Sequence, residues 1–165
     1  MKHILELTKM KNRIDEAFKR VNDIDSDNIE LQSHLAKYLC ILVSGYVETA
    51  VSITVQEYAH RNGSPTLCRF VESHTSRFTN PSPEKIKNLL GRFAKEWRRQ
   101  FEASVSKDKT EALTTLVKNR NKIAHGLDSQ LTFSGVQNYY KIAQDVVKSV
   151  QVICLENTKS VIEPT

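Results

Sequence analysis

Glycine and proline are scarce, five and four among 165 residues, which argues against long structureless linkers. Cysteine occurs three times, as Cys40, Cys68 and Cys154, an odd number with no close spacing. That pattern speaks against a disulfide framework or a zinc site. The apolar surroundings of Cys40 and Cys154 point instead to buried free thiols in a reducing cytosol. No stretch approaches the roughly 20 apolar residues of a membrane-crossing helix. The opening Met1-Lys2-His3-Ile4-Leu5-Glu6-Leu7 runs into charged residues without a signal peptide's apolar core. The expectation is a cytoplasmic protein with no membrane partner. There is no Gly-rich phosphate loop, no nucleotide-binding fingerprint and no serine or cysteine in a triad setting. His3, His34, His60 and His74 are scattered without a ligand spacing, so neither metal nor cofactor is expected. Strand and hairpin signals, internal repeats and low-complexity tracts are all missing.

What is present is helical periodicity. Leu7, Met10, Ile14, Ala17, Phe18 and Val21 recur at spacings of three and four, predicting a helix over 3–21. Asp27 with Glu30 reads as an acidic capping box for a long helix that ends at Arg61-Asn62-Gly63. That helix would span roughly 50 Å and act as the central strut. Leu35, Leu39, Leu42, Tyr46 and Ile53 form one apolar face, and Ile41, Gly45, Val51 and Val55 a second, which predicts burial on two sides. Ser44 and Gly45 are expected to admit a neighbouring helix closely. Ser64-Pro65 opens a helix to about 78, and Ser82-Pro83 opens another to about 103. Trp97 shares that last helix's apolar side with Phe93 and Phe101, so it reads as core rather than as a base-stacking residue. Asp108 with Glu111, and Ser134 with Gln137, suggest caps for the last two helices, and Val136, Tyr140, Ala143, Val147 and Val150 line the final one. The chain is expected to be all-α, an antiparallel bundle of five to six helices, with one domain over 1–158 and a frayed tail over 159–165.

Charge is distributed unevenly. The net charge is +5, yet residues 85–122 alone hold eleven Lys and Arg against four acids, while each flank sums to −1. A basic segment of this kind suits a polyanion, most simply nucleic acid, and equally describes a solvated helix face. Arg92, Lys95, Arg98, Arg99, Lys118 and Lys122 are its candidate RNA-binding residues.

The most informative stretch closes this segment: Lys118-Asn119-Arg120-Asn121-Lys122-Ile123-Ala124-His125-Gly126. Apolar residues at Leu113, Leu116, Val117, Ile123, Ala124 and Leu127 mark a helical stripe, and Arg120 falls inside it. Gly126 suits the position just past a helix end, and Lys122 and His125 suit the negative end of the helix dipole. Capping accounts for His125 but not for Arg120, which needs an anionic or hydrogen-bonding partner. Glu48, on the second face of the long helix, is the other charge out of place. It is either the partner of Arg120, within or between chains, or a carboxylate that looks out to solvent.

Arg120-Asn121-Lys122-Ile123-Ala124-His125 resembles the Arg-x4-His motif, in its Arg-Asn-x3-His form, of the HEPN superfamily. Its place at the end of the penultimate helix, followed by a glycine and a long last helix, is most similar to the RiboL-PSP-HEPN group. The resemblance implies a metal-independent endoribonuclease that acts as a homodimer, with two motifs forming one composite site. It also implies a toxin or antiphage-defence role, which brings a cognate antitoxin protein as a partner beside RNA. Carried onto this chain, Arg120 and His125 would be catalytic and Asn121 would support them, with Glu48 added from its place on the long helix. Lys122, a bulky cation inside the motif, is a departure without an assigned role.

The residue types fit that chemistry in their own right. RNA supplies its own nucleophile, the 2′-OH. Histidine, with a reference pKa of about 6.5, serves as base or acid, and a fork-shaped arginine suits phosphate oxygens. Two other readings compete with catalysis: a non-catalytic HEPN-like module that binds RNA or protein, and a purely structural dimerisation bundle.

Overall fold

The computed structural model describes residues 2–24 and 27–156. The tail expected over 159–165 lies outside them, as does the side chain of His3. Among the described residues there are seven α-helices and no strand: α1 Lys2–Asn22, α2 Ile29–Asn62, α3 Pro65–Thr75, α4 Pro83–Phe93, α5 Lys95–Ser104, α6 Lys107–Ala124 and α7 Phe133–Gln151. A π turn, Val152–Glu156, continues α7 and carries the buried Ile153 and Cys154. The fold is the all-α bundle that the periodicity predicts.

Helix α2 is the axis of the core, packing against α1, α3, α6, α7 and the π turn. Leu39, Cys40, Val43, Val47, Val51 and Val55 are wholly buried, so both of its predicted faces are used. Ile41 is the exception and stays 42% exposed. An 18-residue window of α2 reaches a mean hydropathy of 1.6, enough to cross a membrane by length and composition, which the sequence reading did not anticipate. Since 61% of that window is buried inside the fold, its apolarity is used by the bundle core. Gly45 does not mark a close approach of helices: a Cβ there would meet only the Met10 methyl at 4.0 Å. At Gly63, the C-cap of α2, a Cβ would lie 2.8 Å from the Ala59 carbonyl oxygen of the same helix and 2.9 Å from the Leu67 side chain of α3. Burial pushes the Cys40 thiol up to about 12 and raises that of Cys154 as well, so both are held as neutral thiols.

Several boundaries differ from expectation. Ser64 and Ser82 cap α3 and α4 as predicted, each accepting from a backbone N–H three residues on. For the other helices the cap is a neighbour of the residue expected. Asn28 caps α2 instead of Asp27, Ser106 caps α6 instead of Asp108, and Thr132 caps α7 instead of Ser134. The last two helices begin earlier than predicted, which places Asp108 and Ser134 inside the first turn, where an extended cap conformation is impossible. Helix α3 stops at Thr75, short of Phe78. The segment expected as one helix over 83–103 is two, broken at Ala94, whose φ of −153° and ψ of 138° are extended. The break lets Phe93 stack on Trp97 with centroids 5.5 Å apart, while Tyr58 of α2 meets Trp97 edge-on at 4.7 Å. Trp97 is therefore core, as its spacing indicates.

At the opposite end Tyr140 of α7 stacks on Phe18 of α1, with centroids 4.9 Å apart, and donates a 2.7 Å hydrogen bond to Asp15 Oδ1. Burial, then the bond to Asp15, raises the Tyr140 phenol well above its ordinary 10.0. Because the folded value is the higher one, the stability it contributes is complete below pH 10.0 and lost as pH rises through the folded value. Tyr140→Phe keeps the stack and loses the hydroxyl. It should lower unfolding free energy by about 1 kcal/mol and flatten the alkaline decline, whereas Tyr140→Ala should cost about 3 kcal/mol or more in urea titrations.

Candidate functional site

Three elements meet around Arg120. Helix α2 contributes Glu48, the loop between α3 and α4 contributes Asn80, and the last turns of α6 contribute Arg120, Asn121 and His125. Glu48 and Arg120, the two charges out of place in sequence, are both half-buried, but they do not form a direct ion pair. Asn80 stands between them. Its backbone N–H donates to Glu48 Oε2 at 3.2 Å, and its side-chain oxygen accepts from Arg120 Nη1 at 3.3 Å. Its carbonyl accepts from Ser82 N–H at 2.7 Å, which closes a tight turn over Pro81. This hydrogen bonding holds Asn80 at φ 53°, left-handed backbone that asparagine tolerates better than most residues. The carboxylate of the central helix is thus linked to the arginine of α6 through one residue.

Asn121 supports the same arginine: its side-chain oxygen accepts from Arg120 Nη1 at 3.3 Å. Its backbone carbonyl accepts the His125 N–H at 3.1 Å. The side chain of Asn121 is therefore turned to the guanidinium, while its main chain holds the histidine.

His125 is the C-cap of α6, and Gly126 follows at φ 67°. Gly126 N–H donates to Ile123 O at 3.1 Å and Leu127 N–H to Lys122 O at 2.8 Å. Those two bonds are the Schellman arrangement that a glycine past the helix end predicts. The stop has a second effect. His125 is exposed, and its imidazole makes no hydrogen bond or ion pair among the described residues. The expected apolar stripe does not reach this point. Leu113, Leu116 and Val117 are buried, whereas Ala124 is exposed and Leu127 is 60% exposed. The stripe closes at Ile123, which packs against the core; Ala124, the last helical residue, is turned to solvent, and the Schellman turn ends the helix before Leu127. Ser129, itself buried, donates to Asn119 Oδ1 at 3.0 Å, and Lys37 of α2 pairs with Asp128 at 3.7 Å. Both contacts pin the loop that follows the histidine.

The candidate RNA-binding cations separate into two groups. Helix α4 turns one flank, Glu84 and Lys87, towards α5. There Lys87 pairs with Glu84 at 2.7 Å and Glu102 at 3.4 Å, and Arg98 pairs with Glu102 at 3.4 Å. The hydrogen bond from Lys87 holds the Glu84 carboxyl below its usual range. Arg99 also has a carboxylate, Glu96, at 3.8 Å. Arg92 sits on the other flank of α4 and has no such partner among the described residues. Lys95, Lys118 and Lys122 are likewise exposed and without a carboxylate. Among the described residues no three His, Cys, Asp or Glu side chains gather as a metal's ligands would.

Asn80 is the site residue that sequence reasoning missed. It lies in an Asn-Pro-Ser-Pro stretch that reads as a chain break, and no spacing relates it to Arg120, forty residues on.

These features define an all-helical bundle whose motif closes the penultimate helix and is braced from the central one. A family model described as RiboL-PSP-HEPN matches residues 6–156, and the chain belongs to that family. Comparison with curated proteins and with solved structures finds no match.

The bridge makes a structural prediction. Asn80→Gly keeps the left-handed turn and the N–H to Glu48, and loses only the bond to Arg120. Asn80→Ala adds left-handed strain, so it should be less stable than the glycine variant by about 1 kcal/mol. Chemical denaturation of the two variants compares them directly; equal stabilities would show that the turn does not constrain this residue.

Proposed function

We propose that this protein is a metal-independent endoribonuclease of HEPN type, working as a homodimer in the cytoplasm as a toxin or antiphage effector. One observation carries the reading: Arg120 is held by Asn80 and Asn121, while one and a half turns on the His125 imidazole faces out with nothing to bond. A cation fixed in place beside an uncommitted imidazole is the pairing that phosphodiester cleavage needs. The two side chains do not converge within one chain. Five residues along a helix separate them by roughly 7.5 Å of rise and about 140° of rotation. A second copy related by a two-fold axis supplies the rest, since an isologous contact doubles every group it contains.

The bordering surface supports a dimer. In a Schellman turn the residue after the glycine usually packs against its own helix. Here that residue is Leu127, 60% exposed, and Ile41 on α2, one turn beyond the Lys37–Asp128 pair, is 42% exposed. A partner chain would cover both.

In this mechanism one His125 takes the proton from the ribose 2′-OH, and O2′ attacks the adjacent phosphorus. The other His125 protonates the departing 5′-oxygen, leaving a 2′,3′-cyclic phosphate and a 5′-OH. The paired Arg120 guanidiniums neutralise the non-bridging oxygens as charge builds on them. Glu48 acts at a distance, by holding Asn80 and through it the arginine. A cognate antitoxin would be expected to cover this face.

His125→Ala should lower RNA cleavage in EDTA by about 100-fold or more while leaving fold and solution mass unchanged, because the side chain is exposed and makes no internal contact. Arg120→Lys should lose a comparable factor, since an ammonium held by Asn80 and Asn121 lacks the planar array of further N–H donors that the guanidinium presents to phosphate oxygens. A 5′-phosphate on the product, or strict dependence on Mg²⁺, would refute the mechanism. RNA binding by wild type and His125→Ala alike, with cleavage by neither, would favour a non-catalytic binding module of the same fold.

A further inference from the structure

The flank of α4 turned away from α5 forms a groove with α3, and this groove has two adjoining parts. One part, a cavity of about 270 Å³, is lined by His74, Arg77, Lys85 and Arg92. The other, of about 510 Å³, shares His74 and Arg92 and adds Phe70 with Tyr58 and Phe93 beneath it. No aspartate or glutamate lines either part. Arg77 and Arg92 are exposed and make no hydrogen bond or ion pair among the described residues, unlike Arg98 and Arg99 on the opposite flank. Lys85 donates only to the Thr79 carbonyl at 2.9 Å, so its charge too is uncompensated.

Phe70 is 61% exposed and its ring lies 5.0 Å from that of His74. Leu67, one turn earlier, is 47% exposed and lines the same apolar part. An apolar surface open to water beside three unpaired cations is poorly matched to a protein's own core. It is well matched to a single-stranded nucleotide, whose base is flat and apolar on its faces and whose phosphate is anionic. The groove also borders the site already described. Thr79, which lines the basic part, precedes Asn80, and Arg77 lies within about 11 Å of chain from Asn80.

We propose that the α3–α4 groove is a subsite for single-stranded RNA, seating a phosphate between Arg77 and Arg92 and the neighbouring base against Phe70 and His74. It rests on the ribonuclease reading, as the place where a strand leaving the scissile bond is held. The occupant is a nucleic acid rather than an acidic protein segment, because the cations and the aromatic surface alternate within one nucleotide's reach.

The test uses the full chain carrying His125→Ala and a fluorescein-labelled single-stranded RNA of about 12 nucleotides, in EDTA, with anisotropy read at several salt concentrations. Phe70→Ala should weaken binding about tenfold with little change in salt dependence. Arg77→Gln with Arg92→Gln should weaken it and lower the slope of log affinity against log salt by about 0.7, one single-strand phosphate contact. All three side chains are exposed, and circular dichroism checks that the variants fold. Affinity unchanged in both variants overturns the subsite, and so does a loss confined to the arginine pair, which leaves the base seat empty. Unchanged affinity together with an altered solution mass in Phe70→Ala would assign the apolar part to a protein contact instead. Failure of the ribonuclease reading shows separately, as absent cleavage by the chain with His125 intact while these binding losses persist.

Discussion

A carboxylate halfway along the most apolar helix of the chain is the constraint around which the site is built. Helix α2 supplies the buried surface on which α1, α3, α6 and α7 pack, and Glu48 interrupts it. An unpaired carboxylate there would be costly, and a direct ion pair with Arg120 would tie the guanidinium up. Asn80 resolves both. Its N–H satisfies the carboxylate, and its side-chain oxygen takes one guanidinium N–H; Asn121 takes another, and both bonds come from Nη1, which leaves Nη2 and Nε to donate to a ligand. Core and site are thereby coupled: what holds α2 satisfied also sets the position of Arg120.

Helix capping and the exposure of the His125 imidazole arise from the same geometry at the end of α6. The left-handed glycine stops the helix one residue after His125, so the histidine's main chain is spent on the last helical bonds while its ring projects beyond them. An imidazole one turn earlier on this face would take the place of Asn121, partly buried and one turn from Val117. One turn later it would be on the loop that Ser129 and Asp128 hold. The motif's spacing thus places a fixed cation inside the helix and an uncommitted imidazole at its edge.

What could be read from sequence follows from the range of the interaction concerned. The stripes of α1, α2 and α7 were legible because a helix repeats its buried face every three or four residues, and most residues on them are buried, with only Ile41 exposed. Ser64 and Ser82 were legible because a following proline fixes the first turn. Without a proline, several polar residues compete for the cap, and Asn28, Ser106 and Thr132 won over near neighbours. The break at Ala94 left no local mark, since it serves the tertiary stack of Phe93 and Trp97 on Tyr58. At the site, Arg120 and Glu48 were visible as charges in apolar stripes, but the residue between them was not. A turn asparagine and a bridging asparagine look alike until the chain is folded.

Charge behaves in the same way. Counting along the chain found the basic segment over 85–122 but treated its cations as equivalent. Folding sorts them by helix face. Where α4 faces α5, Lys87 and Arg98 are neutralised by Glu84 and Glu102, and Arg99 of α5 by Glu96, while Arg92 on the other flank is joined by Arg77, which lies outside the counted segment. The sum of charge is the same in either description, but its field is not. Cations paired at 2.7 to 3.8 Å project little beyond a Debye length of about 10 Å, whereas unpaired ones on a shared groove add. Arg77, Arg92 and Lys85 add their fields at the α3–α4 groove, and Lys118 and Lys122 add theirs on one face of α6. The Asn80 turn begins at the edge of that groove and reaches Arg120 of α6.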